Sequence, residues 1–170
     1  ILRGMEKILL VDKPIGWTSF DVVAKIRGAI KLSYLKNGIK PTKRQLKVGH
    51  AGTLDPFASG LLIILLGDAC KRAGDFLKLD KSYEFTAEIG KTSTTGDTEG
   101  DISAVSTVRP TLEQVDVVLG NFRGTITQTP RAYSAIKING KRAYALAREG
   151  KTFDIPSREV RVNELTLQMY

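Results

Sequence analysis

Histidine and cysteine each occur once in the 170 residues, as His50 and Cys70. A lone cysteine allows no intrachain disulfide, which suits a reducing compartment such as the cytoplasm. One histidine and one cysteine, far apart in sequence, leave neither a zinc-ligand set nor a Cys–His catalytic pair, so no metal site is expected. Long apolar runs are also missing. The longest, Leu61–Leu66, falls far short of the roughly 20 residues that span a bilayer as a helix. The Gly-rich phosphate-binding patterns of nucleotide enzymes do not occur, so no nucleotide cofactor is expected. Acids are scarce: 26 lysines and arginines face 18 aspartates and glutamates, for a formal net charge of +8. That excess points to a polyanionic partner, RNA or DNA, although a merely basic surface explains it equally well. The hydrophobic fraction of 42% and the charged fraction of 26% are those of an ordinary globular domain.

Strand and helix signals alternate irregularly along the chain, which predicts a mixed α+β domain and not a doubly wound sheet. "EKILLVDKP" is expected to be a buried strand closed by Pro14. "GWTSFDVV" opens a helix with Thr18 or Ser19 as its cap, Asp21 in the first turn, and Val22, Val23, Ile26 and Ile30 on one face. A basic connection follows, through Lys36, Lys40, Lys43, Arg44 and Lys47, with no acid between Lys25 and Lys47. "LLIILL" is expected to be fully buried, "DACKRAGDFLKL" helical, and "KSYEFTAEIG" a strand. "KTSTTGDTEGDI" is expected to be a loop. Its Asp97, Glu99 and Asp101 fit a solvated turn better than a calcium loop. "TLEQVDVVLGNF" predicts a capped helix, "GTITQT" and "SAIKING" strands, and "KRAYALAREG" a short helix ended by Gly150. "EVRVNELTLQMY" alternates like a strand and lacks a following partner. The chain starts at Ile1, with Met5 a candidate natural start, and is expected to continue past Tyr170.

The richest segment for chemistry is "GHAGTLDPFASG", Gly49–Gly60. Pro56 restricts Asp55 to extended or turn geometry, and the glycines permit close approach of a ligand to the backbone. A single carboxylate held in this way can act as a nucleophile or a general base. Alternatively, Asp55-Pro56 is a plain turn braced by His50.

That segment closely resembles the catalytic motif of the TruB family of tRNA pseudouridine synthases, bacterial type. "LLVDKPIGWTSFDVV", "KSYEFTAEIGKTSTTGDTEGD" and "QTPRAYSAIKINGKRAYALAREG" resemble further motifs of the family, in order, over most of residues 5–162. The resemblance implies the pseudouridine synthase fold, a mixed and mostly antiparallel sheet flanked by helices, with residues 1–170 forming a catalytic domain incomplete at its C-terminal end. It implies isomerisation of the TΨC-loop uridine of tRNA (conventional tRNA position 55) to pseudouridine, without metal or cofactor, by a cytoplasmic protein expected to be monomeric. By carry-over Asp55 is the catalytic nucleophile or base, and Tyr83 stacks on the flipped base. His50 contacts RNA, and Lys13 with Pro14 shapes the adjoining loop. Gly52, Thr53, Leu54 and Lys137 join the substrate site, while Lys43, Arg44, Lys47 and Arg142 are candidate phosphate contacts. Without the resemblance, Tyr83 would be assigned to a strand core, and Lys137, Arg142 and the basic loop to solvated surface.

The sequence departs from the family pattern in three places. Pro130-Arg131 stands where the family has two prolines, the connection from Lys31 to Lys47 is long, and residues 1–170 end before the motif whose arginine pairs with the aspartate. The C-terminal PUA-type RNA-binding region found in many members of the family is not expected within residues 1–170. A non-catalytic tRNA-binding module is therefore the competing function, and a hydrolase built on Asp55 is weaker because no second acid accompanies it.

Overall fold

A computed structural model describes residues 6–169 apart from Tyr133, Ala135, Asn139 and Lys151; the side chains of Lys137, Arg142 and Tyr144 also lie outside the described set. The chain divides into two units, one ending at Glu84 and one beginning at Phe85.

The first unit is built on β3 (Gly60–Gly67), which lies between β1 (Glu6–Lys13) and β2 (Val48–Ala51), antiparallel to both. A central strand covered on both faces needs apolar side chains at every position, and "LLIILL" provides them. Leu62, Ile64 and Leu66 join Val22 and Val23 of α1 (Ser19–Lys36) and Val48 of β2 in one core. Leu65 faces the other way and packs with Ala51 and Ala69, against which Phe76 of α2 (Ala73–Leu77) also rests. Leu61 is exposed, so the run is not buried from end to end as expected.

α1 begins as its sequence predicts. Thr18 is the cap: its hydroxyl accepts from the Asp21 N–H, and the Asp21 carboxylate accepts from the Thr18 N–H at 2.8 Å. The helix outlasts its predicted start by several turns and takes in the first part of the basic connection, which shortens to residues 37–47. β1 departs from expectation. Among the described residues it is an edge strand, and Leu10 is 70% exposed. A short apolar run carries no sign of whether neighbours will flank it on both sides. The segment 68–79 is helical but broken, with a tight 3₁₀ stretch at Asp68–Arg72 before α2.

The second unit consists of small antiparallel ladders and two helices. β4 (Lys91–Ser93) pairs with β5 (Ile102–Ala104), so the predicted loop 91–102 has strand at both ends. The intervening turn braces itself: the Asp97 carboxylate accepts from the Thr95 hydroxyl at 2.6 Å and the Glu99 N–H at 3.0 Å. This is the solvated turn, and Asp97 serves it as an acceptor. α3 (Leu112–Gly120) starts at Thr111, whose side chain accepts from the Gln114 N–H. β6 (Gly124–Gln128) pairs with β9 (Arg158–Val162), so the C-terminal strand does have a partner, earlier in the chain. Beyond Val162 the predicted strand does not continue among the described residues; the Leu165 carbonyl instead accepts from Arg123 Nε at 2.9 Å. Within "SAIKING" the described residues form β7 (Lys137–Ile138), paired with β8 (Lys141–Arg142), which leads into α4 (Ala143–Arg148). Gly150 follows α4 with a φ of 69°, the left-handed conformation that ends a helix at lowest cost with glycine. The predicted strand 81–90 forms no ladder among the described residues: 81–88 carry no regular structure and Ile89–Gly90 form a turn.

Candidate active site

The segment Gly49–Gly60 is the β2–β3 connection, a strand-loop-strand unit. His50 lies within β2 opposite Ile64 of β3, and Gly60 opposite Lys13 at the end of β1. The loop 52–59 therefore emerges at the end of the sheet where β1 turns toward α1.

Asp55 sits at the tip and is exposed. Its carbonyl accepts from the Ala58 N–H at 3.1 Å, the closure of a β-turn with aspartate first and proline second. The plain Asp-Pro turn is thus real, and it is the device that presents the carboxylate. Thr53 is exposed, and Gly52 and Leu54 are half-buried. Gly52 has a φ of 95°, a conformation few side chains tolerate.

The loop is held from both sides. Ser19 Oγ accepts from the Leu54 N–H at 3.0 Å and lies 3.2 Å from the Leu54 carbonyl, to which it donates. The Pro56 carbonyl accepts from the Gly16 N–H at 2.7 Å. His50 Nδ1 donates to the Gly52 carbonyl. That assigns the proton of a neutral ring to Nδ1 and leaves Nε2 as an acceptor.

Lys13 is wholly buried, at 0% exposure, and donates to the carbonyls of Pro14 at 3.0 Å and Trp17 at 2.6 Å. A buried ammonium needs such oxygen partners. Here it tightens the β1–α1 turn that carries Gly16. Asp21 nearby is held below the ordinary carboxylate range, first by the Thr18 hydroxyl, then by the Thr18 N–H and the charge of Lys13.

The remaining predicted residues are less concentrated. Tyr83 is 68% exposed, so it does not belong to a core. Lys43 and Lys47 are exposed. Arg44 is exposed but ion-paired, with Nη2 2.6 Å from Asp68 Oδ2. The absence of acids near Arg44 in sequence does not hold in space. The side chains of Lys137 and Arg142 lie outside the described residues. No cluster of three or more His, Cys, Asp or Glu side chains able to hold a metal occurs among the described residues, and no described helix is long and apolar enough to cross a membrane. Sequence reasoning does not find Ser19 and Gly16 as site residues. Only the ambiguity between Thr18 and Ser19 as cap hints that one of the two hydroxyls is free for other work.

Asp68 is held below the ordinary carboxylate range by Arg44 first and then by Lys71. Folding therefore favours its ionised form. The stability this adds is present above the carboxylate range of the unfolded chain and is lost as pH falls through the lower folded value. Asp68→Asn is expected to be slightly less stable than the parent at neutral pH and equal to it in strong acid. Urea unfolding at both pH values measures this; a gap that persists in acid would contradict it.

The first unit thus lifts one carboxylate on a strand-to-strand loop braced from both sides. The fold resembles that of a chain in the crystal structure of a Cbf5–Nop10–Gar1 complex, with a TM-score of 0.52, 20% identity, and coverage of 95% of this chain and 36% of that one. Residues 39–170 match the family described as TruB family pseudouridylate synthase, N-terminal domain. Among curated relatives, tRNA pseudouridine synthase B of Rhizobium johnstonii is 46% identical over 165 residues, covering 97% of this chain and 49% of that protein. The protein of the same name from Zymomonas mobilis subsp. mobilis is 45% identical over 159 residues, covering 94% of this chain and 50% of its own length. The chain belongs to the TruB family of pseudouridylate synthases. It spans about half the length of these curated relatives.

Proposed function

We propose that this protein isomerises the TΨC-loop uridine of tRNA to pseudouridine, with Asp55 as nucleophile or general base. The observation that carries the reading is the Asp55 turn itself: an exposed carboxylate whose two neighbouring residues are each hydrogen-bonded to the β1–α1 junction, in a chain of this family. The name of the relatives, tRNA pseudouridine synthase B, supports the substrate class.

The chemistry asks little else of the protein. The glycosidic bond from ribose C1′ to N1 breaks, the uracil rotates, and C1′ bonds to C5. The hydrogen on C5 leaves as a proton and N1 gains one. Nothing is oxidised or reduced, so the balance closes without a cofactor or metal. Tyr83 offers an exposed ring on which an extruded base can stack. His50 Nε2 offers an acceptor at the loop's base, and Gly52, Thr53 and Leu54 form the approach beside Asp55. Lys13 acts from below, through the turn it holds. Lys43 and Lys47 meet phosphates; Arg44 does so only by leaving Asp68. Lys137 is a further substrate contact and Arg142 a further phosphate contact in this reading, both carried by the family resemblance. One loop carries the acid, so a monomer suffices, and the lone Cys70 fits a reducing cytoplasm.

Loss of the C5 hydrogen gives a direct test: tRNA tritiated at uridine C5 should release tritium to water in the presence of the protein. RNA binding without release would favour the binding-module reading. The basic loop has its own test. Lys43→Ala with Lys47→Ala should flatten the dependence of log Kd on log salt, by roughly 0.7 to 0.9 for each phosphate that is no longer neutralised. An unchanged slope would show that these lysines are solvated surface.

A further inference from the structure

We propose that Ser19 is a positioning residue for Asp55, an inference that rests on Asp55 being the reacting group. Ser19 is 3% exposed, deep enough that it cannot touch an RNA. Buried hydroxyls at helix starts commonly serve as caps, but Thr18 already fills that role with Asp21. The Ser19 hydroxyl is therefore available to Leu54, the residue immediately before Asp55. It accepts from the Leu54 N–H at 3.0 Å and donates to the Leu54 carbonyl across 3.2 Å. A hydroxyl has one proton and two lone pairs, so it can satisfy both backbone groups together.

Ser19 is itself rigidly placed. It opens a helix whose Val22 and Val23 lie in the core, and Leu54 packs against that same core. On the far side of Asp55, the Pro56 carbonyl is held by the Gly16 N–H. The backbone on both sides of Asp55 is thus referenced to the start of α1, while the carboxylate remains exposed. A reacting group must be held to a fraction of an ångström. Without the hydroxyl, the half-buried Leu54 amide and carbonyl lose their partner and the loop must shift to find another.

The test separates rate from binding. Ser19→Ala should lower the single-turnover rate of pseudouridine formation by about tenfold to a hundredfold, the usual consequence of a small misplacement. Its Kd for tRNA should stay within about twofold, since the uniform binding contacts are untouched. Ser19→Cys keeps nearly the same shape but is a poor hydrogen-bonding group, and should show the same loss. Both variants are assayed at a temperature where their thermal unfolding curves show them folded. Exchange of the Leu54 amide, followed by NMR, should quicken about tenfold or more in each. Parent rates in both variants would overturn the proposal. So would a loss in Ser19→Ala that Ser19→Cys does not share, because the cause would then be the cavity. Asp55→Asn separates the two levels of the argument. If it is inactive while both Ser19 variants keep the parent rate, this inference alone fails; if it is active, the proposed function itself fails.

Discussion

Asp55→Asn should hold pseudouridine formation below about one thousandth of the parent rate, equivalent to raising the barrier by roughly 4 kcal/mol, while the Kd for tRNA stays within about tenfold, or about 1.4 kcal/mol. Asparagine nearly matches aspartate in shape and can occupy the same position in the Asp55–Ala58 turn, whose closure is a backbone bond. It lacks the negative oxygen that attacks a carbon or takes a proton, so both roles open to Asp55 are lost together. Binding draws on phosphate contacts and base stacking that do not include this carboxylate. Single-turnover assays measure the first quantity and filter binding the second. Substantial turnover by the asparagine variant would remove Asp55 from the mechanism.

Ile64→Ala should destabilise the first unit by about 2–5 kcal/mol. Ile64 is fully buried, at 0% exposure, in the middle of β3, opposite Leu9 on one side and His50 on the other. Its side chain packs in the cluster formed by Val22, Val23, Val48, Leu62 and Leu66. The strand is pinned on both edges and the helix is capped in place, so little can collapse into the vacated space. Because a domain's whole stability is typically only 5–15 kcal/mol, the loss is a large fraction of the total. Denaturant unfolding measures it. A loss under about 1 kcal/mol would mean that α1 closes over the gap, contrary to close packing at this point.

Local chemistry is the legible part. Thr18 with Asp21 and Thr111 with Gln114 announce two helix starts, and both capping boxes are present. The loop around Asp55 is legible for the same reason: glycine and proline constrain backbone conformation wherever they occur. Relations between distant residues are hidden. The Ser19–Leu54 bonds join residues 35 apart in sequence, and Arg44 meets an aspartate 24 residues on. β9 looks partnerless in sequence because its partner β6 precedes it. "KSYEFTAEIG" shows the converse failure. Its alternation fits a strand, but a strand forms only where another backbone supplies its hydrogen bonds, and a pattern of side chains says nothing of that. The exposure of β1 is hidden for a related reason, since being at the edge is a property of the sheet.

Mapping pseudouridine nucleotide by nucleotide in an unmodified tRNA transcript, after incubation with the protein, tests the central claim most directly. The expected result is a single new pseudouridine at the TΨC-loop uridine, absent when that uridine is replaced by cytidine and absent with Asp55→Asn. Tight binding of the transcript with no pseudouridine at that position would contradict the account.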